Sequence, residues 1–226
     1  FKGIVGLVDN RAYMGKEGSE ADVPAEMTAA VEAAHVELIE AGAECDDELI
    51  LKYLEGEELT IDEVRHALHE GVLNNQIIPV YVGTSLSGIG LDRLLRAITR
   101  YVPTPDECKA DAVVNGSSSK VGCNPSGVPA VSVFKTIVDR FVGRMSYVRV
   151  FSGTLRKDAN LYNARTGKSM RIANLFHVRG KELTVTDELV AGDIGVITKL
   201  EDVATGDTLT SADHPISIVP PNYPRP

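Results

Sequence analysis

Gly167-Lys168-Ser169 is the ending of a phosphate-binding loop, GxxxxGK[ST], in which backbone N–H groups and a lysine hold the phosphates of a nucleotide. The first glycine of that pattern would be residue 162, which is Tyr162. The tripeptide also stands between two strand-like runs, residues 160–164 and 170–176, so it reads as a hairpin turn. Asp-x-x-Gly and Asn-Lys-x-Asp are absent, as is a Gly-x-Ser-x-Gly elbow, and no carboxylate pair or thiolate nucleophile stands out. The chain by itself is therefore not expected to turn over a nucleotide. His66 and His69 are three apart and could share a helix face, but no Cys or third His stands near, so they read as surface residues rather than metal ligands. Cys45, Cys108 and Cys123 are scattered and odd in number, which indicates neither a disulfide framework nor a zinc site and fits a reducing cytoplasm. One stretch has the setting of a nucleotide site: the loop Gly83-Thr84-Ser85-Leu86-Ser87-Gly88 follows the apolar run QIIPVYV (76–82) and precedes a helical pattern over 91–98. Strand, small polar loop and helix is where α/β domains bind nucleotides, although a single such unit is a weak signal.

These residues need elements to hold them. The run 76–82 suits a strand buried on both faces of a parallel sheet, whose other strands are not in this chain. From 27 to 52 the apolar residues recur with a helical period. Val31, Ala34, Leu38, Ala41, Cys45 and Leu49 fall on one side, and Glu37, Glu40, Glu44 and Glu48 form a stripe on the other. The stripe is either a solvated face or a docking strip for a basic partner. Thr60, with Glu63 three residues on, offers a capping box for a second helix. Residues 131–155 organise the back half: two runs rich in Val, Phe, Tyr and Ile flank Asp139-Arg140-Phe141-Val142-Gly143, giving strand, loop, strand and turn. Turn signals then recur at short intervals, so a small closed antiparallel sheet, a β-barrel, is expected over 128–226. Between the lobes, residues 104–127 read as an exposed, mobile linker after Pro103.

At 226 residues the chain can form two domains, each with its own core. The net charge of −9 is unevenly divided. Residues 1–127 hold 10 basic against 22 acidic residues, whereas residues 128–226 hold 13 against 10. The front half should repel nucleic acid and attract basic proteins, while the back half tolerates a phosphate backbone. No run reaches the roughly 18 apolar residues of a membrane span, so a soluble, cytoplasmic protein is expected, with neither membrane nor DNA as a partner. The opening on Phe1 and the Pro-rich close suggest a piece cut from a longer polypeptide.

The run Ala43-Glu44-Cys45-Asp46-Asp47-Glu48-Leu49, continuing through Lys52-Tyr53-Leu54-Glu55-Gly56-Glu57-Glu58-Leu59-Thr60, closely resembles the AE-x-DDEL…KYLEGEELT segment of bacterial elongation factor G, the ribosomal translocation GTPase. The likeness continues in Val72-Leu73-Asn74-Asn75-Gln76-Ile77-Ile78-Pro79-Val80. In the back half, Phe134-Lys135-Thr136, Phe141-Val142-Gly143-Arg144, Tyr147, residues 149–155, Ala191-Gly192-Asp193-Ile194 and Thr205-Gly206-Asp207-Thr208-Leu209 look like that family's second domain. The resemblance implies an α+β fragment: residues 1–75 as a helical and strand insert of the GTPase domain, 76–103 as that domain's last strand and helix, and 128–226 as a translation-factor-type antiparallel β-barrel. The phosphate loop would then lie upstream of Phe1, so that an intact parent hydrolyses GTP with Mg2+ while neither is expected bound to this chain.

The same resemblance implies roles. Gly83, Thr84, Ser85 and Leu86 would form the part of the guanine-recognition loop whose backbone N–H groups meet the base carbonyl; Thr84 and Ser85 replace the family's Ser and Ala. Glu37, Glu40, Glu44 and Glu48 would face the ribosomal stalk protein, and Arg144, Arg149, Arg156, Lys157, Arg179 and Lys181 would neighbour small-subunit rRNA. Gly6 stands where the family often has Asp, and the Ser/Gly-rich linker has no counterpart. A main translocase, a second paralogue and a ribosomal protection protein of the tetracycline-resistance type all remain open, as does a non-catalytic adaptor bridging a basic protein and RNA.

Overall fold

The computed structural model describes residues 1–221, so the last residues of the expected barrel, 222–226, lie outside the described residues. The chain divides into two compact units, Phe1–Pro103 and Thr104–Pro226.

In the first unit β1 (Gly3–Gly6), β2 (Arg11–Met14) and β3 (Ser19–Ala21) make a three-stranded antiparallel sheet. Four helices follow: α1 (Thr28–Ala43), α2 (Asp47–Leu54), α3 (Ile61–Leu73) and α4 (Leu91–Tyr101). Their small core gathers Val64 and Leu68 of α3 with Ala97 and Tyr101 of α4, and Leu38 and Ile39 of α1 pack against it. His35 on α1 lies 2.5 Å from the Leu7 carbonyl through Nδ1. A carbonyl only accepts, so Nδ1 carries the proton and donates. The capping box forms as the sequence predicts: Thr60 Oγ1 accepts from the Glu63 N–H, and Glu63 accepts from the Thr60 N–H at 2.7 Å. Lys52 of α2 reaches the other Glu63 oxygen at 2.7 Å, and these bonds, with the Lys52 contact foremost, hold the Glu63 carboxyl down to about 2.

Two expectations for this unit are corrected. The single helix expected over 27–52 is two helices. Asp46 is extended (φ −140°, ψ 119°), and its carboxylate accepts from the N–H groups of Glu48 and Leu49, so it caps a new helix instead of continuing the old one. Residues 76–82 carry no strand pairing among the described residues: Ile78 and Val80 are about nine-tenths exposed (86% and 85%). A strand is defined by neighbours that satisfy its N–H and C=O groups, and no neighbouring strand reaches this segment.

The second unit is built of antiparallel strands. They are β4 (Lys109–Val114), β5 (Ser117–Gly122), β6 (Ala130–Asp139), β7 (Gly143–Ser152), β8 (Thr154–Arg156), β9 (Asn160–Asn163), β10 (Ser169–Arg171), β11 (Leu175–Arg179), β12 (Glu182–Thr186), β13 (Glu188–Val190), β14 (Ile194–Thr198), β15 (Thr208–Thr210) and β16 (Ile216–Ile218). One sheet runs β10-β9-β15-β6-β7-β14-β11-β12, β8 pairs with β13, and β16-β4-β5 forms a third sheet. The architecture is the barrel-like antiparallel domain expected, organised on the long β6–β7 hairpin predicted at 131–155. Inward residues of these strands, among them Val131, Val148, Leu155, Leu175, Leu189 and Leu209, are almost wholly buried in one core. Between β7 and β8 the chain turns at Gly153 (φ 76°), where an added Cβ would meet Pro129 at 2.7 Å, so only glycine fits.

The expected linker over 104–127 is also corrected. Residues 109–122 form the β4–β5 hairpin, because Asn115 and Gly116 both take positive φ (51° and 80°) and make the tight turn that suits strand twist. Alternation then buries Ala112 against Ala130, Ile216 and Ile218.

Among the described residues of the unit, the most enclosed charge is Asp207, its side chain 3% exposed. It accepts from Arg165 Nε (2.5 Å) and Nη2 (2.9 Å), Asn163 Nδ2 (2.8 Å) and the Ala204 N–H (2.9 Å). Burial pushes its carboxyl upward, but these four bonds outweigh that and leave it below the usual aspartate range. Asp207→Ala is expected to cost about 3 kcal/mol, and Arg165→Ala, at a side chain more than half exposed, to cost less. Because the folded carboxyl titrates low, Asp207's contribution is complete above the ordinary aspartate value of about 3.9 and is lost as pH falls through the folded value. Urea unfolding followed at the Val133 amide measures all three, and a neutral Asp207→Ala would refute the assignment.

Candidate functional site

The loop expected to carry nucleotide chemistry is held at both ends by glycines. The Thr84 N–H donates to Ile89 O at 2.9 Å, and the Gly88 N–H donates to Thr84 O at 2.9 Å, closing residues 84–89 into a compact turn. Gly90 (φ 84°) is the N-cap of α4, and an added Cβ there would lie 2.7 Å from Val82 O and 3.1 Å from Gly83 Cα. The backbone therefore crosses itself at Gly83 and Gly90. Leu86 at the tip is fully exposed, and among the described residues no acceptor meets the N–H groups of Ser85, Leu86 and Ser87. The arrangement offers backbone donors at the start of a helix, suited to a carbonyl or anionic oxygen.

What positions this loop was not visible in the sequence. Tyr13 on β2 is 3% exposed; its hydroxyl donates to Asp9 Oδ2 at 2.5 Å, and the Arg93 guanidinium stacks 3.8 Å above its ring. Arg93 Nε in turn donates to Asp92 Oδ2 at 2.8 Å. Burial first, then the bond to Asp9, raises the Tyr13 hydroxyl to about 12, so it remains a donor at neutral pH. This cluster fastens the first turn of α4 to the β-sheet. The only sequence signal for it was an unremarkable Asp-Arg pair in a helix.

The acidic residues are all exposed, but they do not form one helical stripe. Glu37 and Glu40 lie on α1, Glu44 closes that helix, and Glu48 belongs to the first turn of α2. Glu40 is engaged, accepting from Tyr53 Oη at 2.8 Å.

The basic residues divide by engagement. Arg144 donates to the Val203 carbonyl, and Arg149 stacks 4.9 Å over Phe151. Arg156 pairs with Glu188 at 2.6 Å across β8 and β13, and Arg179 pairs with Glu182 at 3.1 Å. Lys157 and Lys181 are exposed with no ion pair among the described residues. The Gly167-Lys168-Ser169 ending is a hairpin turn between β9 and β10, as read from the sequence: Gly167 N–H donates to Asn163 O, and Lys168 pairs with Asp202 at 2.7 Å. It does not fit a triphosphate or its magnesium. Among the described residues no three His, Cys, Asp or Glu side chains are grouped to hold a metal ion, and no helix is long and apolar enough to cross a membrane.

The fold and this site together define a mixed α+β chain whose β half is of translation-factor type. Residues 129–212 match the family model for elongation factor G domain 2. Over its whole length the chain is similar to a protein of known crystal structure from Thermus thermophilus, at 30% identity and a TM-score of 0.80; the match covers 100% of this chain and 32% of that one. Residues 129–212 are thus an elongation factor G domain 2, as the sequence resemblance implied for the back half, and the whole chain spans about a third of the Thermus protein.

Gly90→Ala is expected to force the crossing apart at a cost of about 1–2 kcal/mol. Hydrogen exchange at the Thr84 amide should then quicken by roughly tenfold or more, and unchanged exchange would show that the glycine pair does not hold the loop.

Proposed function

We propose that this chain is part of a ribosome-dependent translational GTPase of the elongation factor G type, to which it contributes docking surfaces and one edge of the guanine site. The observation that carries the reading is the elongation factor G domain 2 match at 129–212, joined to a lobe whose loop presents free N–H groups beside a helix start. In this reading the backbone of Gly83, Thr84, Ser85 and Leu86 donates to the base carbonyl. Side-chain identity matters little to such a contact, so the Thr84 and Ser85 replacements are compatible with it. GTP and Mg2+ are bound by residues of a longer protein, since the phosphate pattern fails at Tyr162 and its remnant is a hairpin turn. The acidic side chains Glu37, Glu44 and Glu48 attract a basic domain of the ribosomal stalk. On the β domain, Lys157 and Lys181 are the phosphate partners that require no ion pair to be broken. The protein works in the cytoplasm, where ribosomes are.

Two measurements test this. The 226-residue chain should show no GTP binding above background in equilibrium titration, and micromolar binding would mean that this chain holds a complete nucleotide site, against the reading. The chain should co-sediment with ribosomes at low salt. Lys157→Glu with Lys181→Glu should weaken that association several-fold and lower the slope of log K against log salt by about one for each lysine–phosphate pair removed. Failure to associate, or an unchanged slope, would overturn the RNA-facing role.

A further inference from the structure

Cys108 and Cys123 are 15 positions apart in sequence, but the β4–β5 register brings them together. The last paired residues of that hairpin are Lys109 and Gly122, so continuing it by one step opposes Cys108 to Cys123. Asp111 turns its carbonyl to the Val219 N–H on the other side of β4, so alternate residues 110, 112 and 114 face β5, and position 108 continues that set. Opposed residues of that kind have Cα atoms about 5.5 Å apart, inside the range of about 4.4–6.8 Å that a disulfide spans. Their side chains lie on the same face as buried Ala112.

The cavity gives a second, separate observation. Cys108 and Cys123 line one cavity of about 220 Å³, together with Pro105, Lys109, Arg149 and Phe151. Cys123 Sγ and Pro105 lie side by side against Gly192, where an added Cβ would be 3.6 Å from Cys123 Sγ and 3.2 Å from Pro105 Cβ. Cys108 is exposed, Cys123 is half-buried, and both are free thiols.

We propose that Cys108 and Cys123 are an oxidation site that closes to a disulfide in exchange with an anionic low-molecular-weight disulfide such as glutathione disulfide. The exposed Cys108, deprotonated, attacks one sulfur of the oxidant, breaking its S–S bond and releasing one small thiol. Cys123, on losing its proton, attacks Cys108 Sγ of the mixed disulfide and expels the second small thiol. Two protein thiols and one small disulfide thus become one protein disulfide and two small thiols. Lys109 and Arg149 place positive charge on the cavity wall, which draws the anionic oxidant to the sulfurs. The bond ties the turn at residues 104–108, where the second unit begins, to the far strand of its hairpin.

The folded chain is incubated with glutathione disulfide, remaining thiols are alkylated, and the peptides are mapped. The expected product is a Cys108–Cys123 cross-link with Cys45 alkylated, formed at least about tenfold faster than in the urea-unfolded chain because the hairpin raises the effective concentration. Cys123→Ser should halt the reaction at the glutathione adduct of Cys108, and Cys108→Ser should leave no protein disulfide. A bond involving Cys45, glutathione adducts alone in the unsubstituted chain, or the same rate and pairing in folded and unfolded chains would each overturn the proposal.

Discussion

The buried carboxylate of Asp207 is the point on which the β unit closes. Its side chain accepts from Asn163 and Arg165 at the β9–β10 turn and from Ala204 ahead of β15. On either side of it, Gly206 N–H donates to Val133 O at 2.7 Å and Val133 N–H donates to Asp207 O at 2.9 Å, so the same residue also fixes β15 on β6. A carboxylate this enclosed costs several kcal/mol to desolvate, and only a full set of charge-assisted bonds offsets that cost. Register is the consequence. A one-residue slip of β15 would carry Leu209 out of the core and leave Asp207 without Arg165, so packing and hydrogen bonding select the same alignment.

The first unit is held differently. Its core is small, and its order comes from local devices: the Thr60–Glu63 capping box, the Lys52–Glu63 tie between α2 and α3, the His35–Leu7 bond and the Tyr13–Asp9–Arg93 cluster. It leaves apolar surface in water along 78–82 and on α4, where Leu95 is 65% exposed. A run of alternating and consecutive apolar residues with no strand beside it has the composition of a central strand and the exposure of an edge. Among the described residues no strand covers that apolar strip, and the chain spans about a third of its Thermus relative.

Elements whose cause is local were legible in the sequence. The β6–β7 hairpin follows from two β-branched and aromatic runs around Asp139, whose carboxylate accepts from the Phe141 and Val142 N–H groups as a turn residue should. The capping box and the Gly167-Lys168-Ser169 turn are legible for the same reason. Competing signals hide the rest. Helical period runs unbroken through 27–52, yet Asp46 offers its carboxylate to the backbone and restarts the helix. The 104–127 segment is polar enough to read as a linker, yet Asn115-Gly116 is a hairpin signal that composition masked. The Cys108–Cys123 pairing and the Tyr13 cluster depend on contacts between strands or between strand and helix, and no spacing in one dimension encodes them.

The surface charge of the β unit separates residues free to change partners from those that are not. Arg144 is bonded to the Val203 carbonyl and Arg149 is stacked on Phe151, so moving either to a phosphate forfeits a contact within the fold. Arg156–Glu188 and Arg179–Glu182 are exposed ion pairs, each worth about 0–1 kcal/mol. Exchanging the glutamate for a phosphate oxygen therefore costs little and gains a partner with greater charge density. Lys157 follows Arg156 directly, and Lys181 stands two residues beyond Arg179, so each uncommitted lysine has a weakly committed arginine beside it in the chain. Under the proposed function, RNA affinity would be built from these two basic pairs at strand ends, while Arg144 and Arg149 serve the β7 strand that carries them.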